Sequence, residues 1–168
     1  MLLAYTFDVG RLESALGDTP ASQRLQIDFD ERFGLRGYDL ERSGYAPGET
    51  VRLMLYWLPL READANYSSF VHIGQVNAPP LAQADKLHPG ERAMREWWLP
   101  GRGYVYDLYE IVLPQDLPEG EYTILVGLYT CEGLPDGECG NGIRPAAVDD
   151  DGRALGDAVA LTTITVQR

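Results

Sequence analysis

The aromatic side chains of this chain are the residues best suited to binding a ligand. Trp97 and Trp98 are adjacent in a long connection, and Tyr104 and Tyr106 begin the strand predicted to follow it. Exposed aromatic rings can stack on the apolar C–H faces of sugars, whereas buried rings contribute mainly packing energy. Two interpretations stay open: the four residues form a carbohydrate-binding platform, or the tryptophans pin the connection onto the core.

Cys131 and Cys139 are the two cysteines of the chain, and they flank the segment E-G-L-P-D-G-E. Because Pro and Gly can turn this segment back on itself, the two sulfurs can meet. Closing a loop of this length stabilises a fold by about 2–3 kcal/mol. We predict a disulfide, which is typical of proteins outside the cytoplasm. The alternatives are two free thiols, or a metal pair that would need carboxylates to complete a zinc site.

The chain has two histidines, His72 and His88. His72 lies in the middle of a predicted strand, where a histidine usually has a structural role. Catalysis would require a nucleophile and an orienting acid within reach. Ser68 shares its face of the strand but lies about 13 Å away. His88 is followed by Pro-Gly and is expected in a turn.

The segment Asp149-Asp150-Asp151-Gly152 is similar to the start of a calcium-binding loop. Counted from Asp149, however, position 5 is Arg153 and position 12 is Ala160, where such a loop needs oxygen ligands. We therefore expect a solvated acidic loop and no metal site; the alternative is an irregular calcium site helped by Asp157 or Glu138. Since no other residues are spaced like a catalytic motif, we expect neither enzymatic activity nor a cofactor.

The clearest strand signal is the segment from Leu117 to Thr130. A Pro-Gly turn precedes alternating side chains that are apolar on both faces, which predicts a strand at the centre of a sheet. Gly120-Glu121-Tyr122 at its start looks like a tyrosine corner, in which a tyrosine hydroxyl bonds to the backbone of the preceding loop.

Further short strands are predicted between polar turns, at residues 24–29, 33–40, 50–58, 66–75, 81–85, 104–113 and 158–166. Short strands at this spacing predict an all-β fold, an Ig-like antiparallel β-sandwich of seven to nine strands. A barrel is the alternative. We expect the sandwich to span residues 23–168, with residues 1–22 as an N-terminal extension that packs on it.

The chain is strongly acidic, with a net charge of −12 from 26 Asp and Glu against 14 Lys and Arg. Binding to phosphates requires clustered basic residues, so nucleic acid and anionic membrane surfaces are not expected partners. No apolar run reaches the roughly 18–20 residues that cross a bilayer, so we do not expect this chain to insert into a membrane directly.

The order of several sequence blocks resembles a known family. The blocks are L-R-G-Y-D-L (35–40), P-G-E-T-V-R-L-M-L-Y-W (47–57), Y-S-S-F-V-H-I (67–73), A-Q-A-D (82–85), W-L-P-G (98–101), L-P-E-G-E-Y-T-I-L-V-G-L-Y (117–129) and D-G-R-A-L-G-D-A-V (151–159). Over residues 25–167 they resemble the extracytoplasmic C-terminal β-sandwich domain of polytopic membrane proteins in bacteria such as the Chloroflexi. Many of those proteins look like glycosyltransferases. The loop between Cys131 and Cys139 looks like an insertion.

The resemblance implies a setting more than a reaction. It implies a non-catalytic accessory or interaction domain beside a glycosyltransferase-like membrane protein, with a glycan or that membrane protein as its partner. An extracytoplasmic location follows if the chain is part of a longer membrane protein, and otherwise the location is open. The alternative function is a carbohydrate-binding module that uses exposed aromatic residues.

Overall fold

The computed structural model describes residues 19–168, and nearly all of its regular structure is β-strand. The strands are β1 (Gln23–Phe29), β2 (Phe33–Leu40), β3 (Gly44–Tyr45), β4 (Thr50–Pro59), β5 (Ser68–Gly74), β6 (Ala82–Lys86), β7 (Val105–Val112), β8 (Gly120–Tyr129), β9 (Ala147–Asp149), β10 (Ala154–Gly156) and β11 (Val159–Val166). The predicted packing of residues 1–22 falls almost wholly outside the described residues and stays a prediction.

The strands form two sheets. Sheet 1 has the order β10-β9-β1-β2-β4-β7, and sheet 2 has the order β3-β11-β8-β5-β6. Among these strands every pair is antiparallel except β3 with β11. The predicted antiparallel sandwich is confirmed. Three strands of two or three residues, β3, β9 and β10, add to the predicted set because they are too short to carry a hydrophobic pattern.

The core lies between the sheets and is built by residue alternation along the strands. In β4 the fully buried Val51, Leu53, Leu55 and Trp57 face inward, and Arg52 between them faces solvent. Burying side chains of this size stabilises the fold by roughly 1.5–3 kcal/mol each. The side chains on the inward faces of the strands therefore supply most of the burial that stabilises the sandwich.

Strand β8 occupies the interior position in sheet 2 that its sequence predicts, between β11 and β5. Its inward residues Ile124, Val126 and Leu128 are fully buried. At its start the hydroxyl of Tyr122 donates a hydrogen bond of 2.8 Å to the carbonyl oxygen of Pro118. This confirms the predicted tyrosine corner, while the assignment to Ig-like sandwiches stays a prediction.

Candidate functional site

Trp98 does not belong to a ligand-binding surface. Its side chain is 1% exposed, and its ring lies 5.7 Å from Trp57 and 5.8 Å from Phe33, measured between centroids. The preceding residues Met94–Trp97 form one helical turn. Residues four apart on a helix share a face, so Met94 and Trp98 both enter the core. Trp98 therefore pins the connection, as the structural interpretation of the sequence expected.

The other three aromatics of the predicted platform lie in different settings. Trp97 is 43% exposed, but the guanidinium of Arg92 covers one ring face at 3.8 Å from the centroid. Tyr106 is 55% exposed on β7 and packs edge-to-face against Tyr56 at 5.3 Å. Tyr104 is partly buried. Ligand binding by Trp97, Tyr104 and Tyr106 stays a prediction.

A cleft of about 290 Å³ lies elsewhere, on the outer face of sheet 2. Its volume is at the lower end of the range of small-molecule sites. One wall is formed by β5 and β6, and the other by the loop that the two cysteines close. The residues that line it are His72, Gln83, Asp85, Tyr129, Cys131, Cys139, Gly140, Asn141 and Arg144.

Strand pairing brings the wall residues of this cleft together. β5 pairs with β6 so that His72 lies opposite Gln83, next to the pair of Phe70 and Asp85. On its other side β5 pairs with β8, and this pairing places Ser68 opposite Tyr129. Because alternate residues of a strand face the same side, these side chains all point away from the core.

The loop wall is held by the predicted disulfide, which is present. Cys131 and Cys139 are bonded with their Cα atoms 5.1 Å apart, so neither the free thiols nor the metal pair is realised. An isolated bridge between Thr130 and Ile143 closes the base of the loop. The carboxylate of Glu132 accepts the backbone N–H of Asn66 at 3.1 Å. The loop is thus anchored to the sandwich at both ends.

An apolar ring forms the floor beneath the polar rim. Phe70 is buried, and the rings of Phe70 and His72 are 4.6 Å apart between centroids. The guanidinium of Arg144 lies over the Phe70 ring, 4.5 Å from its centroid. The Arg144 Nε–H also donates to the carbonyl oxygen of Asn141 at 3.2 Å. Both His72 and Arg144 are therefore held in fixed orientations at the rim.

His72 is balanced between opposing electrostatic effects. Desolvation by burial is the largest and lowers the pKa of the imidazole, the nearby Asp85 raises it, and Arg144 lowers it, with a net decrease. The Nε2 atom lies 3.7 Å from Oδ1 of Asp85. Within residues 19–168 no hydrogen bond joins His72 to a hydroxyl group. The imidazole is thus mainly neutral at pH 7 and can both donate and accept a hydrogen bond.

A second polar cluster lies between the sheets around a buried carboxylate. Asp107 on β7 is 0% exposed and accepts hydrogen bonds from the backbone N–H of Gly90 at 3.0 Å and from Ser69 Oγ at 3.3 Å. Lys86 Nζ lies 3.1 Å from the same carboxylate. Ser69 also bonds to the hydroxyl of Tyr109. This cluster joins the two sheets.

A larger cleft of about 470 Å³ lies beside β3 and β11. Its charged residues already pair with each other, because Arg42 and Glu49 form an ion pair at 3.0 Å. Its aromatic residue, Tyr45, is buried. This cleft offers an incoming ligand neither an exposed ring nor an uncompensated charge.

The acidic segment at residues 149–151 forms the turn between β9 and β10. Its three carboxylates lie within 4.8 Å of one another. Oδ1 of Asp149 accepts the backbone N–H groups of Asp151 at 3.1 Å and Arg153 at 2.8 Å. These hydrogen bonds hold the carboxylate of Asp149 within the turn.

Comparison with known proteins identifies the fold. No protein-family model matches the chain, and no curated protein matches its sequence. Among solved structures, the crystal structure of the C-terminal domain of Wzt is similar, with a TM-score of 0.50 and 11% sequence identity. The match covers 90% of this chain and 81% of that one. At this identity the likeness concerns the β-sandwich alone, and the resemblance to membrane-protein domains in bacteria stays a prediction.

Of the residues that line the cleft, the sequence identified only His72 and the two cysteines as candidates. It missed Gln83, Asp85 and Arg144, which belong to no catalytic or ligand-binding motif. The signal available was the alternation of β5 and β6, which places His72, Gln83 and Asp85 on outward faces. That signal becomes specific only once the pairing of the two strands is known.

Proposed function

We propose that this chain is a non-catalytic accessory β-sandwich domain that binds carbohydrate in the cleft beside the disulfide. The observation that carries this proposal is the composition of the cleft. A partly exposed tyrosine ring, Tyr129, lies among amide, carboxylate, guanidinium and imidazole groups.

A sugar presents two kinds of surface, and the cleft has groups that suit both. The apolar C–H face of a sugar ring can stack on Tyr129. Each sugar hydroxyl both donates and accepts, so it needs partners of both kinds. Gln83 and Asn141 supply donors and acceptors, Asp85 supplies acceptors, and Arg144 supplies donors. An all-apolar ligand would leave these polar groups without partners, which costs binding free energy.

The carboxylate content of the cleft favours the binding of a sugar over its hydrolysis. Glycoside hydrolysis commonly uses two carboxylates that flank the scissile bond. Among the described residues that line this cleft, Asp85 alone carries a carboxylate. That carboxylate lies beside His72 rather than beside a second acid.

The proposed setting is outside the cytoplasm, next to a glycosyltransferase-like membrane protein. The disulfide supports this setting because such bonds persist in oxidising compartments. The sequence resemblance supports it as well. No helix in residues 19–168 is both long and apolar enough to cross a bilayer.

A glycan array probed with matched variants tests this function. We expect the unmodified domain to bind a subset of glycans and Tyr129→Ala to weaken binding about two- to tenfold, because ring stacking contributes roughly 0.5–1.5 kcal/mol. Trp97→Ala is the matched control, since it removes an exposed ring outside the cleft. Loss of binding in Trp97→Ala alone would place the site at the predicted aromatic platform. Absence of binding to any glycan would contradict the function itself.

A further inference from the structure

Arg144 is an uncompensated positive charge within a strongly acidic domain. The chain has 26 acidic and 14 basic residues, so carboxylates outnumber their possible partners. Accordingly Arg42 pairs with Glu49, and Arg52 pairs with Glu110. Within residues 19–168, Arg144 forms no ion pair with a carboxylate. Asp85, the acid among the described residues that line the cleft, lies against His72 instead.

The guanidinium of Arg144 is also held in place before any ligand arrives. Its face packs on the buried Phe70 ring, and its Nε–H is used by the carbonyl oxygen of Asn141. The two terminal nitrogens are left for another partner. A planar fork with two parallel donors matches a carboxylate, and a fork already fixed loses little entropy on binding.

Size and long-range charge restrict the kind of anion that can bind. A volume of about 290 Å³ suits a small ligand rather than a long chain. The net charge of −12 repels polyanions at a distance, so many negative charges on one ligand would oppose its approach. One carboxylate on an otherwise neutral ligand meets Arg144 with the least repulsion.

We propose that the carbohydrate bound in this cleft carries a carboxylate, as a uronic acid does, and that the fork of Arg144 binds it. This inference rests on the proposed carbohydrate-binding function and assigns the chemical class of its ligand. The rest of the sugar lies against Tyr129, with the amides of Gln83 and Asn141 on its hydroxyls.

A titration with two sugars that differ at one carbon tests the inference. Methyl β-glucuronide and methyl β-glucoside differ only in whether C6 is a carboxylate or an alcohol, and binding to the whole chain can be followed by NMR shifts. We expect about tenfold tighter binding of the glucuronide, and a preference that falls as salt is raised. Arg144→Gln should remove the preference for the glucuronide. Arg144→Lys should keep part of that preference, because lysine supplies the positive charge but not the two parallel donors.

Arg61→Gln is the control variant, because it removes the same charge from an exposed ion pair with Glu31. It should keep the preference. Equal affinity of the unmodified domain for both sugars would overturn the inference, and so would a preference that survives in Arg144→Gln. In either case binding of the glucoside would leave the proposed function standing. If neither these sugars nor any arrayed glycan binds, the function fails and the inference fails with it.

Discussion

His72 has aromatic and charged neighbours on its own strand, on β6 and on the loop. Phe70 contacts it from β5, Asp85 faces it from β6, and Arg144 faces it from the loop. Desolvation is the strongest effect and favours the neutral imidazole, so the pKa falls below its ordinary 6.5. The sequence predicts a structural role for His72, and the structure places its imidazole at the rim of a cleft.

The lowered pKa predicts how stability depends on pH. The unfolded chain binds a proton at His72 more readily than the folded chain, so this contribution to stability is present above pH 6.5 and is lost as pH falls toward the folded pKa. In urea unfolding between pH 5 and 8, we expect His72→Gln to reduce the loss of stability on the acidic side. An identical pH slope in the variant would show that His72 titrates alike in both states.

The loop between Cys131 and Cys139 is the element that turns a flat sheet face into a cleft. It is bonded at its ends and closed at its base by the bridge from Thr130 to Ile143. Glu132 ties it further to Asn66. Few apolar contacts hold the tip, since residues 135–138 are exposed. The disulfide therefore has a large share in keeping this wall ordered.

Replacing both cysteines should weaken folding and binding together. For Cys131→Ser with Cys139→Ser we expect the free energy of unfolding to fall by about 2–3 kcal/mol, because the unfolded chain regains the entropy of an open loop. Denaturation in urea measures this loss, and the same titrations measure ligand affinity. A reducing agent should reproduce the effect in the unmodified domain and have no effect on the double variant. Unchanged stability in the variant would contradict the role given to the bond.

At the scale of the whole molecule, the two sheets are joined by polar contacts as well as by the core. Asp107 belongs to sheet 1, whereas Ser69 and Lys86 belong to sheet 2. Asp107 also fixes Gly90 in the connection that carries Trp98. Desolvation by burial is the largest effect on Lys86 and lowers its pKa, but the hydrogen bonds and ion pairs with Glu91 and Asp107 outweigh it, so the pKa is raised. The contacts of Asp107 therefore position β6 and the connection between β6 and β7 against β7.

Removing the carboxylate of Asp107 should be costly because its partners stay buried. For Asp107→Ala we expect a loss of about 3 kcal/mol in the free energy of unfolding, because the Gly90 N–H loses its acceptor, Ser69 keeps only its bond to Tyr109, and Lys86 loses its buried ion-pair partner. Thermal and urea unfolding measure the change. Glu110→Ala is the comparison, since it removes an acid of the same strand from an exposed pair with Arg52 and should cost much less. Equal losses in the two variants would contradict the proposed role of the buried network.

The sequence by itself determined the features that depend on neighbouring residues. Alternation along each strand predicted an all-β sandwich, because burial on one face leaves a period of two in the sequence. The tyrosine corner at Tyr122 and the disulfide across eight residues could also be predicted, since each joins groups close along the chain. The acidic composition also made nucleic acid an unexpected partner, because net charge can be counted from the sequence without a structure.

Only the tertiary structure decided which side chains meet. Trp98 is buried because one helical turn directs it inward, and a pair of adjacent tryptophans in the sequence does not reveal that turn. His72, Asp85 and Arg144 share one cleft because β5 pairs with β6 and a distant loop folds over both strands. Such pairings join residues far apart in sequence, and their register is set by the packing of the whole sandwich rather than by any local pattern.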